Sequence, residues 1–110
     1  MTWRKVVGVK TLENARSASV KVGERVIYVA KVKGKLFAMD GVCTHAKCIL
    51  DDLDEESLRS KCRFHGAEFN ITNGNMVVPP SISPNVEKSK LGLNIYPIRE
   101  EGLFVEIDVD

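Results

Sequence analysis

Both histidines of this 110-residue chain, and two of its three cysteines, fall into two short pairs, Cys43-Thr44-His45 and Cys62-Arg63-Phe64-His65. Sixteen residues, 46–61, lie between them. Each pair holds one thiol and one imidazole, and in so short a turn both side chains reach one small site without long-range chain closure. Thiolate and imidazole are borderline-soft donors, suited to zinc, iron or an iron–sulfur cluster and not to magnesium or calcium. Two readings compete. Two Cys and two His would close a tetrahedral structural zinc site, whose usual spacing pairs like ligands or uses C-x2–4-C arms. The mixed order Cys, His, Cys, His suits instead a two-iron cluster in which each loop gives one ligand to each iron.

The rest of the composition narrows the field. A chain of this length is one domain with a modest core. Lys plus Arg number 16 against 15 Asp plus Glu, so the net charge of +1 leaves no basic excess for a nucleic-acid binder. The longest apolar run, Val26-Ile27-Tyr28-Val29-Ala30, is far short of the ~20 residues of a membrane span. Met1 to Lys5 carries no apolar stretch of a secretory leader, and the expected setting is cytoplasmic and unattached to membrane. No glycine-rich phosphate cradle is present, and no third histidine remains for a mononuclear iron site or a catalytic triad. These absences favour a protein that is not itself an enzyme.

Most of the sequence reads as short strands. Ala18, Val20 and Val22 alternate with polar residues, Arg25 to Val32 is a more buried β-branched run, and Lys35 to Met39 returns after the turn Lys33-Gly34. Asn73-Gly74, between Phe69–Thr72 and Met76–Val78, is the strongest hairpin signal. Leu91, Leu93 and Ile95 alternate with Gly92 and Asn94. Leu103, Val105, Ile107 and Val109 alternate beyond a turn at Glu101-Gly102. Helix is scarce, with single turns expected at Thr11–Ala15 and Asp51–Leu58. The expectation is an all-β meander or small barrel of about eight to ten short strands. Ser81 to Lys90, with Pro79 and Pro80 before it and Pro84 within, reads as an irregular loop.

Cys43-Thr44-His45-Ala46-Lys47-Cys48 and Cys62-Arg63-Phe64-His65-Gly66 resemble the C-x-H and C-x-x-H boxes of Rieske [2Fe–2S] proteins. The likeness continues through Gly66-Ala67-Glu68-Phe69-Asn70-Ile71 and Asn73-Gly74, and Pro79-Pro80 stands where these proteins carry a proline-containing loop over the cluster. The small soluble Rieske-type ferredoxins, including archaeal ones and those serving aromatic-ring oxygenases, are the nearest in pattern. The resemblance implies an all-β Rieske fold: an antiparallel sandwich or barrel base of residues 1–41 and 70–110, with a rubredoxin-like cluster-binding subdomain at about 42–69. It implies one [2Fe–2S] cluster, with Cys43 and Cys62 on one iron and His45 and His65 on the other.

The resemblance also carries departures. Respiratory Rieske proteins join the two loops by a disulfide; Cys48 matches one partner but Phe64 stands at the other. No such disulfide is expected, and Cys48 is expected as a lone buried thiol. High-potential members place hydroxyls where this chain has Ala67 and Phe69. Fewer donors to the cluster sulfurs stabilise the reduced form less, which points to the low end of the Rieske range, roughly −150 to 0 mV. The implied role is a monomeric one-electron carrier between a flavin- or NAD(P)H-linked reductase and an oxygenase or other acceptor. A subunit of a larger oxidoreductase, such as a nitrite reductase small subunit, and a zinc-stabilised module are the alternatives. Lys47, Lys61 and Arg63 flank the ligands, and Asp51, Asp52, Asp54, Glu55 and Glu56 lie between the boxes as a solvated loop or a docking surface.

Overall fold

The structure, a computed structural model, describes residues 3–42, 50, 52–62, 66–79 and 92–109. Among these are ten strands and one short helix: β1 (Trp3–Gly8), α1 (Val9–Ala15), β2 (Ser17–Val22), β3 (Arg25–Val32), β4 (Lys35–Asp40), β5 (Asp52–Asp54), β6 (Arg59–Lys61), β7 (Glu68–Asn70), β8 (Met76–Val78), β9 (Ile98–Glu101) and β10 (Phe104–Asp108). They form three antiparallel sheets, ordered β1-β10-β9, β2-β3-β4 and β5-β6-β7-β8.

The central sheet explains why Arg25 to Val32 is apolar at nearly every position. Successive strand side chains point to opposite faces, and β3 is buried on both. Ile27 and Val29 face one cluster, with Leu12 of α1, Ala38 of β4, and Val105 and Ile107 of β10. Tyr28, Ala30 and Val32 face the other, with Met39, Leu50, Cys62, Ala67, Phe69, Ile71, Met76 and Leu93. Each fully buried aliphatic or aromatic side chain contributes about 1.5–3 kcal/mol. The second cluster is the floor on which the β5–β8 sheet rests.

Turn chemistry follows the sequence at several points. Lys33 and Gly34 both have positive φ, 52° and 80°, as a two-residue hairpin of the type I′ kind requires. The Asn73-Gly74 hairpin forms between β7 and β8, but as a five-residue connection in which Gly74 N donates to Asn70 O at 2.7 Å. Two expected helical turns differ from the structure. The one placed at Thr11–Ala15 begins at Val9, with Gly8 at its start and no side-chain cap. Asp51–Leu58 is, over its described residues, a hairpin: β5 pairs with β6, and Asp54 Oδ1 accepts from Glu56 N at 3.0 Å and Ser57 N at 3.3 Å. That carboxylate satisfies the backbone of a turn, and Leu58 at φ 57° ends it, so the polar run closes a hairpin rather than a helix. The expected strand through Leu93 and Ile95 is a single bridge, Ile95 with Met39. Leu93 N is taken by Gly74 O at 2.7 Å instead of by a neighbouring strand.

Gly74 is where close approach is most demanding. A Cβ there would lie 2.0 Å from Leu93 O, and its φ is +77°. Gly34 has a similar φ but nothing within 4 Å of the Cβ position. Gly34→Ala should therefore cost only the left-handed backbone penalty, about 1–2 kcal/mol. Gly74→Ala adds a backbone collision and should cost about 3 kcal/mol or more. Chemical denaturation of both variants checks this; equal costs would contradict it.

Candidate metal centre

The first Cys/His box leaves the end of β4 and returns at Leu50. Its base is closed by hydrogen bonds from Gly41 N to Val26 O at 2.8 Å and from Leu50 N to Gly41 O at 2.9 Å. Ser19 Oγ donates to Leu50 O at 3.0 Å, and Leu50 is fully buried. A Cβ on Gly41 would stand 3.0 Å from Tyr28 N, so β4 passes against β3 as closely as a backbone allows.

The second box leaves β6 and returns to β7. Cys62 N donates to Ala67 O at 2.8 Å, and Gly66 N donates to Cys62 O at 2.9 Å. Gly66 has φ +75°, which lets the chain reverse within this short loop. Cys62, Ala67 and Phe69 are each fully buried and belong to the floor cluster with Leu50. β6 and β7 are in register as Ser60↔Phe69 and Lys61↔Glu68. Both boxes thus spring from backbone-closed bases over one dry surface.

Of the expected site residues, the structure brings together Cys62, Ala67 and Phe69. Pro79 follows β8 and is half-buried. Cys43, His45, Lys47, Cys48, Phe64, His65 and Pro80 lie outside the described residues. Cys62 carries a disulfide in this structure, its partner lying outside the described residues.

This juxtaposition bears on the fit of a cluster. A two-thiolate iron needs a second cysteine sulfur within bonding reach of Cys62, and Cys62 has one. Ser60, two residues before Cys62 on the same side of β6, adds a fully buried hydroxyl with no hydrogen-bond partner among the described residues. With two imidazoles in the same boxes, the donor set fits a mixed sulfur and nitrogen site.

Charge around the hairpin β5–β6 is largely used within the protein. Arg16 pairs with Glu55 across 39 positions. The hydrogen bonds of Asp54, from Ser57 above all, hold its carboxyl below the usual range. Lys31 bridges Glu100 at 2.7 Å and Glu13 at 3.2 Å, and these bonds raise its pKa. Sequence reasoning missed a further network. Tyr96 OH donates to Asp40 Oδ1 at 2.5 Å, and Asn94 N donates to Asp40 Oδ2 at 3.0 Å. Burial and the Asp40 bond push the Tyr96 phenol up to about 12, with Arg25 pulling it down. The signal for this pair is its position: Asp40 ends a strand three residues before Cys43.

The Rieske [2Fe–2S] domain family matches residues 2–97. The chain belongs to that family. Sulredoxin of Sulfurisphaera tokodaii is 48% identical over 109 residues, covering 99% of this chain and 100% of that protein. The ferredoxin component of the naphthalene 1,2-dioxygenase system of Pseudomonas putida is 24% identical over 97% of this chain and 95% of its own length. Among solved structures, the ferredoxin of carbazole 1,9a-dioxygenase from Nocardioides aromaticivorans superposes with a TM-score of 0.83 at 20% identity, covering both chains in full. The mostly β architecture is therefore the Rieske fold, and the cofactor of this Rieske chain is a [2Fe–2S] cluster. It is an electron carrier and not an enzyme. No helix among the described residues is long and apolar enough to cross a membrane.

Tyr96 generates a pH prediction. Its raised pKa means that folding favours the neutral phenol. The resulting stability is complete below the unfolded value of 10.0 and is lost as pH rises toward about 12. Denaturant midpoints measured at pH 9 and pH 11.5 should fall more for the native Rieske chain than for Tyr96→Phe. Parallel losses would show that Tyr96 does not carry the effect.

Proposed function

We propose that this Rieske chain is a monomeric, cytoplasmic one-electron shuttle of low potential. It takes electrons from a flavin- or NAD(P)H-linked reductase and delivers them to an oxygenase or a comparable acceptor. Cys43, Cys62, His45 and His65 are the proposed ligands, within a cluster-binding subdomain of about 42–69. The cluster, when bound, supplies reversible storage of a single electron. Cys62 serves as thiolate in that state.

The observation that carries the potential assignment is the surface beside Cys62. Ala67 and Phe69 are fully buried and offer no hydroxyl. A lining in which Ala67 and Phe69 add no donor to the Ser60 hydroxyl disfavours the added negative charge of reduction. Lys61, exposed beside Cys62, keeps its charge in water, where it offsets little of this. The assignment of an acceptor draws on the relatives. The dioxygenase ferredoxin components are aligned along nearly the whole chain. In a solved oxygenase–ferredoxin complex of carbazole 1,9a-dioxygenase, 29% of a much longer chain shares this fold over 98% of the present one, at a TM-score of 0.79 and 19% identity.

Protein isolated under reducing, anaerobic conditions should be red-brown and carry two iron and two sulfide per chain. Its midpoint potential should fall at roughly −150 to 0 mV. Colourless protein with one zinc would overturn the reading, and a midpoint above about +200 mV would overturn the choice of donor. Ala67→Ser combined with Phe69→Tyr should raise the potential by adding two hydroxyl donors. Protein-film voltammetry checks this, and an unchanged or lower value would contradict the role given to this lining.

A further inference from the structure

Asp40 is the last residue of β4, and three residues later the first ligand box begins. It is joined to the segment 92–97 by three hydrogen bonds. Its Oδ1 accepts from Tyr96 OH at 2.5 Å, its Oδ2 accepts from Asn94 N at 3.0 Å, and its backbone N donates to Asn94 O at 2.9 Å. Tyr96 N donates to Ala38 O at 3.0 Å, which fixes the ring-bearing residue against β4 from the other end. The segment is itself tied down, since Leu93 N donates to Gly74 O at 2.7 Å in the β7–β8 connection. It is also the return of the proline-containing stretch that follows β8. One carboxylate therefore joins the start of the first ligand loop to the return of that stretch.

The bonds have the character of a clamp rather than a surface ion pair. Both acceptor oxygens of the carboxylate are occupied, one by a backbone N–H and one by a half-buried phenol. Hydrogen bonds to a charged group contribute about twice what neutral ones do. Arg25 lies in the same cleft, where it donates its Nη1 to Val109 O at 3.0 Å and also interacts with the Tyr96 phenol. Ion pairs such as Lys31 with Glu13 join β3 and α1 in the base.

We propose that Asp40 and Tyr96 are positioning residues for the cluster: they fix where the chain leaves β4, and through it where Cys43 and His45 stand. This rests on those two residues being ligands. The clamp then governs how firmly the iron is held and how symmetric its ligand field is, beyond any contribution to overall stability.

The test uses the cluster-loaded protein. Four variants are compared with the native chain: Asp40→Ala, Asp40→Asn, Tyr96→Phe and, as a control in the base, Lys31→Met. One readout is the rate at which excess EDTA bleaches the oxidised protein. The other is the set of g-values after dithionite reduction, and thermal midpoints are recorded alongside. Asp40→Ala should release iron at least fivefold faster and shift the g-values. Tyr96→Phe, which removes one oxygen atom, should release it two- to threefold faster. Asp40→Asn keeps one acceptor and should fall between native and Asp40→Ala. Lys31→Met should lower the thermal midpoint while leaving bleaching rate and g-values unchanged. Should Asp40→Ala not fold, Tyr96→Phe and Asp40→Asn decide the matter alone. Native g-values throughout, or bleaching rates that merely follow the thermal midpoints with Lys31→Met on the same line, would overturn the clamp. Native protein lacking iron and sulfide would overturn the reading of the site itself and the clamp with it.

Discussion

The strand β3 has no face toward water, and the rest of the molecule is arranged by that constraint. Ile27 and Val29 commit one side to α1 and β10, while Tyr28, Ala30 and Val32 commit the other to Cys62, Phe69 and Ile71. A strand buried on both sides fixes its register firmly, because a slip of one residue would exchange its two faces. The β5–β8 sheet inherits that fixity through the apolar floor. The two Cys/His boxes inherit it through their hydrogen-bonded bases at Gly41–Leu50 and Cys62–Ala67. A site for electron transfer needs little chemistry from the protein beyond this. It needs ligands held still, so that gaining or losing an electron moves little.

Burial outweighs charge in keeping the site in place. The ion pair between Arg16 and Glu55 reaches from the base to the β5–β6 hairpin, yet the arginine side chain is 62% exposed, and pairs of that kind contribute about 0–1 kcal/mol. The acidic turn is a structural feature first. Asp54 holds the turn and Glu55 holds Arg16, which weakens the case for this cluster as a docking surface. The more consequential carboxylate is Asp40, both of whose oxygens are engaged by one returning segment of chain.

The parts of this fold legible in the sequence are those set by local periodicity and turn residues. The hairpins through Lys33-Gly34 and Asn73-Gly74 announce themselves, because positive φ demands particular residues there. The double burial of β3 shows in its unbroken apolar run. The two boxes were legible because four side chains of two rare types stood in pairs. What stayed hidden depends on distant partners. Asp51–Leu58 resembles a helix start until Asp54 is seen to satisfy the backbone of a turn. Leu93 and Ile95 alternate like a strand, but Gly74 takes the hydrogen bond a ladder would need. The Asp40–Tyr96 pair spans 56 positions and has no local signature.

The central claim is that two nitrogen ligands and two sulfur ligands share one pair of iron ions. Pulsed EPR on the dithionite-reduced protein, prepared with 15N-labelled histidine, tests it most directly. Two strongly coupled 15N nuclei, both lost as signals when the label is omitted, are the predicted result. A reduced centre with no histidine coupling, or no paramagnetic centre at all, would contradict it.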